Sequence, residues 1–173
     1  MDLIAIEAEV LALGDALRRR GWRMACAESC TGGLIAAACT SVAGSSDWFE
    51  AGFVSYGNQA KTRLLGVDAA LLAPHGAVSE QVARAIASGA LERAGVDLAV
   101  AVTGIAGPGG GTPDKPVGTV WLAVATRHPT GVASRAERAQ LPGDRAAVRE
   151  RTLLLALQRL HEAARASGDA AKP

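Results

Sequence analysis

The run Leu98-Ala99-Val100-Ala101-Val102, between Asp97 and Thr103-Gly104, constrains the fold more than any other stretch of the chain. Apolar residues without alternation fit a strand buried on both faces, as occurs where helices cover both sides of a sheet. The spacing predicts a strand over 97–103, followed by a Gly/Pro loop over 104–116. Leu3, Ile6, Val10, Leu11, Leu13 and Leu17 predict a helix over 3–20, stopped at Arg18-Arg19-Arg20-Gly21. A strand over 22–27, a turn over 29–33, a helix over 34–42, a loop over 43–47 and a strand over 48–56 follow. Short helices are predicted over 58–65 and 69–72, before a break at Pro74-His75-Gly76. A helix capped by Ser79 runs to about residue 94. Strands over 117–126 and 132–141 form a hairpin with a polar edge, and a last helix spans 144–165. Strands alternating with helices indicate an α/β fold, a three-layer α/β/α domain with a mixed, mostly parallel sheet. The 173 residues suit one domain, expected over 1–166, with a polar tail over 167–173.

Composition narrows the function. With 49% hydrophobic and 20% charged residues the chain should fold rather than stay disordered. A net charge of +1 gives no broad electrostatic footprint for nucleic acid or an anionic membrane. An aromatic content of 3% gives no stacking platform for single strands. Cys26, Cys30 and Cys39 cannot close a disulfide framework, and they suit a reducing cytoplasm. No cysteine or histidine spacing matches a zinc site, so no metal is expected. The acidic start Met1-Asp2-Leu3-Ile4-Ala5-Ile6-Glu7 lacks a signal-peptide pattern. Arg, Glu or Asp interrupts every stretch before the roughly 18 apolar residues of a membrane span. Oligomeric state, a homo-oligomer included, stays open.

Four segments can carry chemistry. In Ala27-Glu28-Ser29-Cys30-Thr31-Gly32-Gly33 a strand ends, a hydroxyl follows, and a glycine turn opens a helix. Helix N-termini offer free amides to a phosphate or a developing oxyanion. On spacing alone, Ser29 or Thr31 reads equally as a helix cap, and Cys30 as a small buried residue. The patterns GxSxG and SxxK are absent, and no histidine is well placed as a base, since His75, His128 and His161 fall at a break, a loop and the last helix. In Tyr56-Gly57-Asn58-Gln59-Ala60-Lys61, Tyr56 falls at a strand end and Lys61 one turn into a helix. A lysine against apolar surface can serve as a general base, although this spacing also suits a solvated position. Thr103-Gly104-Ile105-Ala106-Gly107-Pro108 follows the buried strand, where α/β sheets place their sites, yet it matches neither a P-loop nor a dinucleotide fingerprint. Its continuation over 109–116 reads as a flexible connection. Arg145 and Arg149, four apart, share a helix face and can hold a phosphate or pair with acidic neighbours.

In this order, AESCTGGLIAA (27–37), SVAGSSDWFEAGFVSYGNQAK (41–61), LLGV (64–67), HGAVSE (75–80), VAVTGIAGPGGGTPDKPVGTVWLA (100–123) and GDRAAVRERT (143–152) resemble the CinA C-terminal domain family, the bacterial nicotinamide mononucleotide amidohydrolases. The resemblance spans about residues 5–162 and lacks the molybdopterin-binding-like domain of longer CinA proteins, so the chain looks like the stand-alone form. It implies a three-layer α/β/α fold. It also implies hydrolysis of nicotinamide mononucleotide to nicotinic acid mononucleotide and ammonia, in pyridine nucleotide recycling, without metal or cofactor. Carried over, Ser29 is the nucleophile, Lys61 the base, and Tyr56 an assistant in the hydroxyl–amine network. Backbone amides at Thr31, Gly32 and Gly33, or at Gly104, would hold the oxyanion. Thr103 and Gly104 would border the nicotinamide, and Arg145 would meet the phosphate. The alternative is a nucleotide-binding or competence-associated module without turnover.

Overall fold

A computed structural model of the chain describes residues 3–166. Five strands form one sheet in the order β2-β1-β3-β4-β5. They are β1 (Met24–Glu28), β2 (Phe49–Val54), β3 (Leu98–Gly104), β4 (Thr119–His128) and β5 (Gly131–Gln140). Strand β1 pairs in parallel with β2 and with β3, whereas β3–β4 and β4–β5 are antiparallel. Four strands therefore run one way and β4 runs against them, which makes the sheet mixed. All five residues of β1 are buried, as expected of a strand with neighbours on both edges and helices on both faces.

The helices are α1 (Leu3–Arg20), α2 (Leu34–Thr40), α3 (Asn58–Leu65), α4 (Ala69–His75), α5 (Glu80–Ala94) and α6 (Arg145–Ala166). Alternation along β1, β3 and β4 assigns a different side-chain size to each face of the sheet. Met24, Cys26, Leu98, Val100, Val102, Leu122 and Val124 pack with α1, α2 and α6. Ala25, Ala27, Ala99, Ala101, Ala123 and Ala125 meet α5, with Leu65 and Leu72 from α3 and α4 on the same side. The three layers expected from the sequence are thus present, and the second helical layer rests on methyl groups.

Three local expectations need correction. The helix before Gly76 continues through Pro74 to His75 and closes with the Gly76 amide on the Leu72 carbonyl at 2.9 Å. Its cap is Asp68, whose carboxylate accepts from the Ala70 amide at 2.8 Å. Ser79 does sit at the N-cap of α5, but its hydroxyl donates backwards to the Gly76 carbonyl at 2.9 Å and caps nothing. The 109–116 connection, expected to be flexible, is tied at both sides. Lys115 Nζ donates to the His75 carbonyl at 3.0 Å, and Arg138 donates to the Asp114 carbonyl at 2.7 Å.

The α3–α5 contact sets the position of everything α3 carries. A Cβ on Gly89 of α5 would lie 2.0 Å from the Leu65 carbonyl oxygen. Alanine ordinarily favours a helix interior over glycine by roughly 0.5–1 kcal/mol. Overpacking against backbone costs about 1–3 kcal/mol. Gly89→Ala should therefore lower the melting temperature followed by circular dichroism. A raised melting temperature would show that α3 shifts freely on α5.

Candidate active site

Three parallel strands end at one edge of the sheet and place three hydroxyl residues in a row. Glu28 is in register with Val54 on one side and Val102 on the other, so the next residues are Ser29, Ser55 and Thr103. The Ser29 amide donates to the Val102 carbonyl at 3.1 Å, and the Ser55 amide to the Glu28 carbonyl at 2.9 Å. The ladder thus extends one residue past β1 and fixes the Ser29 backbone. The chain connection reverses here, with β1 leading through α2 to one neighbour and β3 arriving on the other side. Such points are where open α/β sheets form their crevices.

Lys61 reaches this row from α3. Its side chain is 1% exposed, which overturns the solvated reading of its spacing. Nζ donates to the Ser55 carbonyl at 2.8 Å and to the Tyr56 carbonyl at 3.0 Å, and lies 3.2 Å from Ser29 Oγ. A neutral amine has two N–H bonds and one lone pair. With both N–H bonds on carbonyls, the lone pair is left for the Ser29 hydroxyl. Burial lowers the Lys61 pKa below its ordinary 10.5. No arginine contributes to that shift. A Cys30 thiolate would oppose it, but burial pushes the Cys30 thiol up to about 11 and keeps it neutral.

The turn after Ser29 is built on glycine. Gly32 and Gly33 have φ of 61° and 102°, a left-handed conformation that few other residues adopt without strain. The Glu28 side chain, 1% exposed, reaches forward to the start of α2 and accepts from the amides of Gly33 (2.9 Å), Ile35 (3.2 Å) and Ala36 (2.9 Å). On the outer side of the turn, Arg149 donates to the Thr31 carbonyl at 2.8 Å. Arg145 donates to the Gly107 carbonyl at 2.8 Å and to the Tyr56 hydroxyl at 3.2 Å. Both arginines bound a cleft of ≈ 580 Å³ together with Ala106, Pro108 and Val117. Neither is in an ion pair among the described residues. Among those residues, no cluster of His, Cys, Asp and Glu could hold a metal ion.

The CinA C-terminal domain profile matches residues 7–164. The chain belongs to the CinA C-terminal domain family. A nicotinamide-nucleotide amidohydrolase PncC of Enterobacter agglomerans is 52% identical over 146 residues, covering 84% of this chain and 87% of that protein. A CinA-like protein of Mycolicibacterium gilvum is 57% identical over 148 residues, covering 86% of this chain. The match covers 34% of that relative, so the chain spans about a third of its length. The crystal structure of a CinA superfamily protein from Klebsiella pneumoniae superposes with a TM-score of 0.86 at 37% identity, covering 92% of this chain and 97% of that one.

In this CinA domain Lys61 contacts Ser29, Arg149 contacts the turn at Thr31, and Arg145 contacts Tyr56. Tyr56, 61% exposed, joins through its carbonyl, while its hydroxyl meets Arg145. The Gly33 amide, expected among the oxyanion donors, is committed to Glu28. The Thr103 hydroxyl donates to the Ala77 carbonyl at 3.0 Å, tying the segment between α4 and α5 to the sheet end. A Cβ on Gly104 would lie 2.7 Å from a Val120 methyl, so packing against β4 accounts for that glycine. His161 lies 3.6 Å from Glu9, away from Ser29. Glu28 was missed. Its signal was a lone acidic residue closing an otherwise apolar strand, Met24-Ala25-Cys26-Ala27.

The thiols yield a test. Burial raises Cys26, brings Cys39 to about 12, and leaves all three cysteines free. Thiolate is the reactive form. At pH 8 the folded protein should react with a disulfide reagent at a small fraction of the rate of the same protein in denaturant. Fast labelling mapped to Cys30 in the native protein would show that thiol to be activated.

Proposed function

We propose that the chain is a nicotinamide mononucleotide amidohydrolase that forms nicotinic acid mononucleotide and ammonia in pyridine nucleotide recycling. One observation carries the reading: the Lys61 amine, buried and with both N–H bonds on backbone carbonyls, has Ser29 Oγ as its remaining neighbour. The name of the Enterobacter relative, which matches along most of both chains, supports the substrate.

The steps follow from these contacts. Neutral Lys61 accepts the Ser29 proton as the hydroxyl oxygen attacks the carboxamide carbon, in the manner of an activated serine. The resulting ammonium keeps three acceptors within reach, so the proton moves without rearrangement of its surroundings. The oxyanion is taken by the amides of Thr31 and Gly32, on the stretch of the turn that Glu28 does not occupy. Lys61 returns the proton to the departing nitrogen, ammonia leaves, and water cleaves the acyl-serine. Arg145 exchanges its tyrosine hydroxyl for the phosphate of the substrate, which lies in the cleft toward α6. Holding the phosphate there orients the amide on Ser29.

Ser29→Ala removes the attacking atom and should leave the fold intact, at a cost of about 1 kcal/mol for one hydrogen bond. Lys61→Arg keeps the charge but cannot release a proton at working pH. Both should lose ammonia release by about a hundredfold or more, the scale of general-base catalysis. In the parent enzyme, activity at limiting substrate should rise with pH as the lowered Lys61 titrates to its neutral form. A folded Lys61→Arg protein within about tenfold of the parent would remove the dyad. Binding of the mononucleotide without turnover would leave the nucleotide-binding module.

Arg145→Ala should raise KM by roughly ten- to a hundredfold, as loss of a charged hydrogen bond predicts, with a smaller change in kcat. Tyr56→Phe should act in the same direction and more weakly, since its hydroxyl meets Arg145. A fall in kcat at constant KM for Tyr56→Phe would instead place that hydroxyl in the proton path.

A further inference from the structure

We infer that Glu28 is a positioning residue, which holds Ser29 in line with Lys61 by capping α2 from inside the protein. The inference rests on Ser29 as the nucleophile. The backbone of Glu28 is held by strands on both sides, and its own carbonyl accepts from Ser55. Its side chain then spans the whole Ser29–Gly33 turn. One oxygen accepts from Gly33 and Ile35, and the other from Ala36, with the Cys26 thiol 3.5 Å away. The carboxylate therefore staples the last residue of β1 to the first turn of α2, and Ser29 lies between the two fixed ends.

The turn needs such a tie. Two consecutive left-handed glycines leave its backbone with little intrinsic preference. Its other anchors include the Ser29 amide on Val102, the Ala37 amide on the Gly33 carbonyl, the Arg149 guanidinium on the Thr31 carbonyl and the Lys61 contact to the Ser29 hydroxyl. The first amides of a helix have no partner within the helix. Glu28 supplies one for three donors of this segment, and its negative charge neutralises the positive end of α2. An anionic ligand is consequently not drawn to α2. The oxyanion is left to the Thr31–Gly32 stretch, and the phosphate to the arginine-lined cleft.

Glu28→Gln tests this with almost no change of shape. Glutamine keeps one accepting oxygen and turns an NH2 group toward backbone donors, so part of the staple is lost. The expected result is a kcat for nicotinamide mononucleotide lowered about tenfold or more, KM changed by less than about threefold, and an unmoved pH limb. A variant that melts earlier yet keeps kcat within about threefold would overturn the inference and leave Glu28 a stabilising residue. A shifted pH limb with kcat retained would also overturn it, by assigning Glu28 to the charge of Lys61. Amide hydrogen exchange of the parent protein decides the matter if the variant does not fold. Gly33, Ile35 and Ala36 should exchange slowly, and Thr31 and Gly32 faster. Fast exchange at Gly33, Ile35 and Ala36 would overturn the staple. A parent enzyme inactive on the mononucleotide defeats the functional reading alone, since the exchange pattern is measured without substrate.

Discussion

A buried amine must find acceptors, and Lys61 takes them from the segment that leads into its own helix. The Ser55 and Tyr56 carbonyls lie just past the end of β2, six and five residues before Lys61. Carbonyl dipoles satisfy the amine without adding a formal negative charge beside it. An aspartate in their place would favour the ammonium form and oppose proton uptake from Ser29. The arrangement works only if β2 lies beside β1, since the Ser55 amide must also bond the Glu28 carbonyl. Sheet order, the β2–α3 connection and the location of the serine are therefore parts of one requirement.

Charge is distributed around that requirement in separate compartments. The acidic group nearest the serine in the chain, Glu28, is occupied by backbone amides on the α2 side. The cationic groups Arg145 and Arg149 arrive from α6, on the same face of the sheet as α2, and bind carbonyls of Gly107 and Thr31. The amine comes from α3, on the opposite face with α5, and its carbonyl partners are neutral. Such separation allows a lysine lowered by burial and an anion-binding cleft to coexist within one site.

Much of this was legible in the residues. The helix over 58–65 stands where it was expected, and so does the central strand, marked by the apolar run before Thr103. The burial of Lys61 was not legible. Asn58-Gln59-Ala60-Lys61-Thr62-Arg63 is polar throughout, and its inward face is set by α5, which lies well over a turn further along the chain. The capping of α2 was hidden for a related reason. Cap rules look to the residue just before a helix, where Gly33 stands, whereas the oxygen comes from five residues earlier across a glycine turn. Ser79 shows the converse, a good cap residue in the cap position whose hydroxyl has a nearer acceptor in Gly76. Pattern reading reports what a residue can do locally; tertiary geometry decides which partner it meets.

The alanines on one face of the sheet have a thermodynamic side. Ala25, Ala27, Ala99, Ala101, Ala123 and Ala125 have no side-chain torsions to freeze, so burying them carries no rotamer entropy cost. They also have no alternative rotamers through which α5 could settle at another height above the sheet. The path from the sheet through α5 and Gly89 to α3 accordingly contains few adjustable torsions, and the reach of Lys61 is calibrated largely by backbone. Thermal fluctuation at the dyad should then be concentrated in the lysine chain and the glycine turn, the two places where torsional freedom remains.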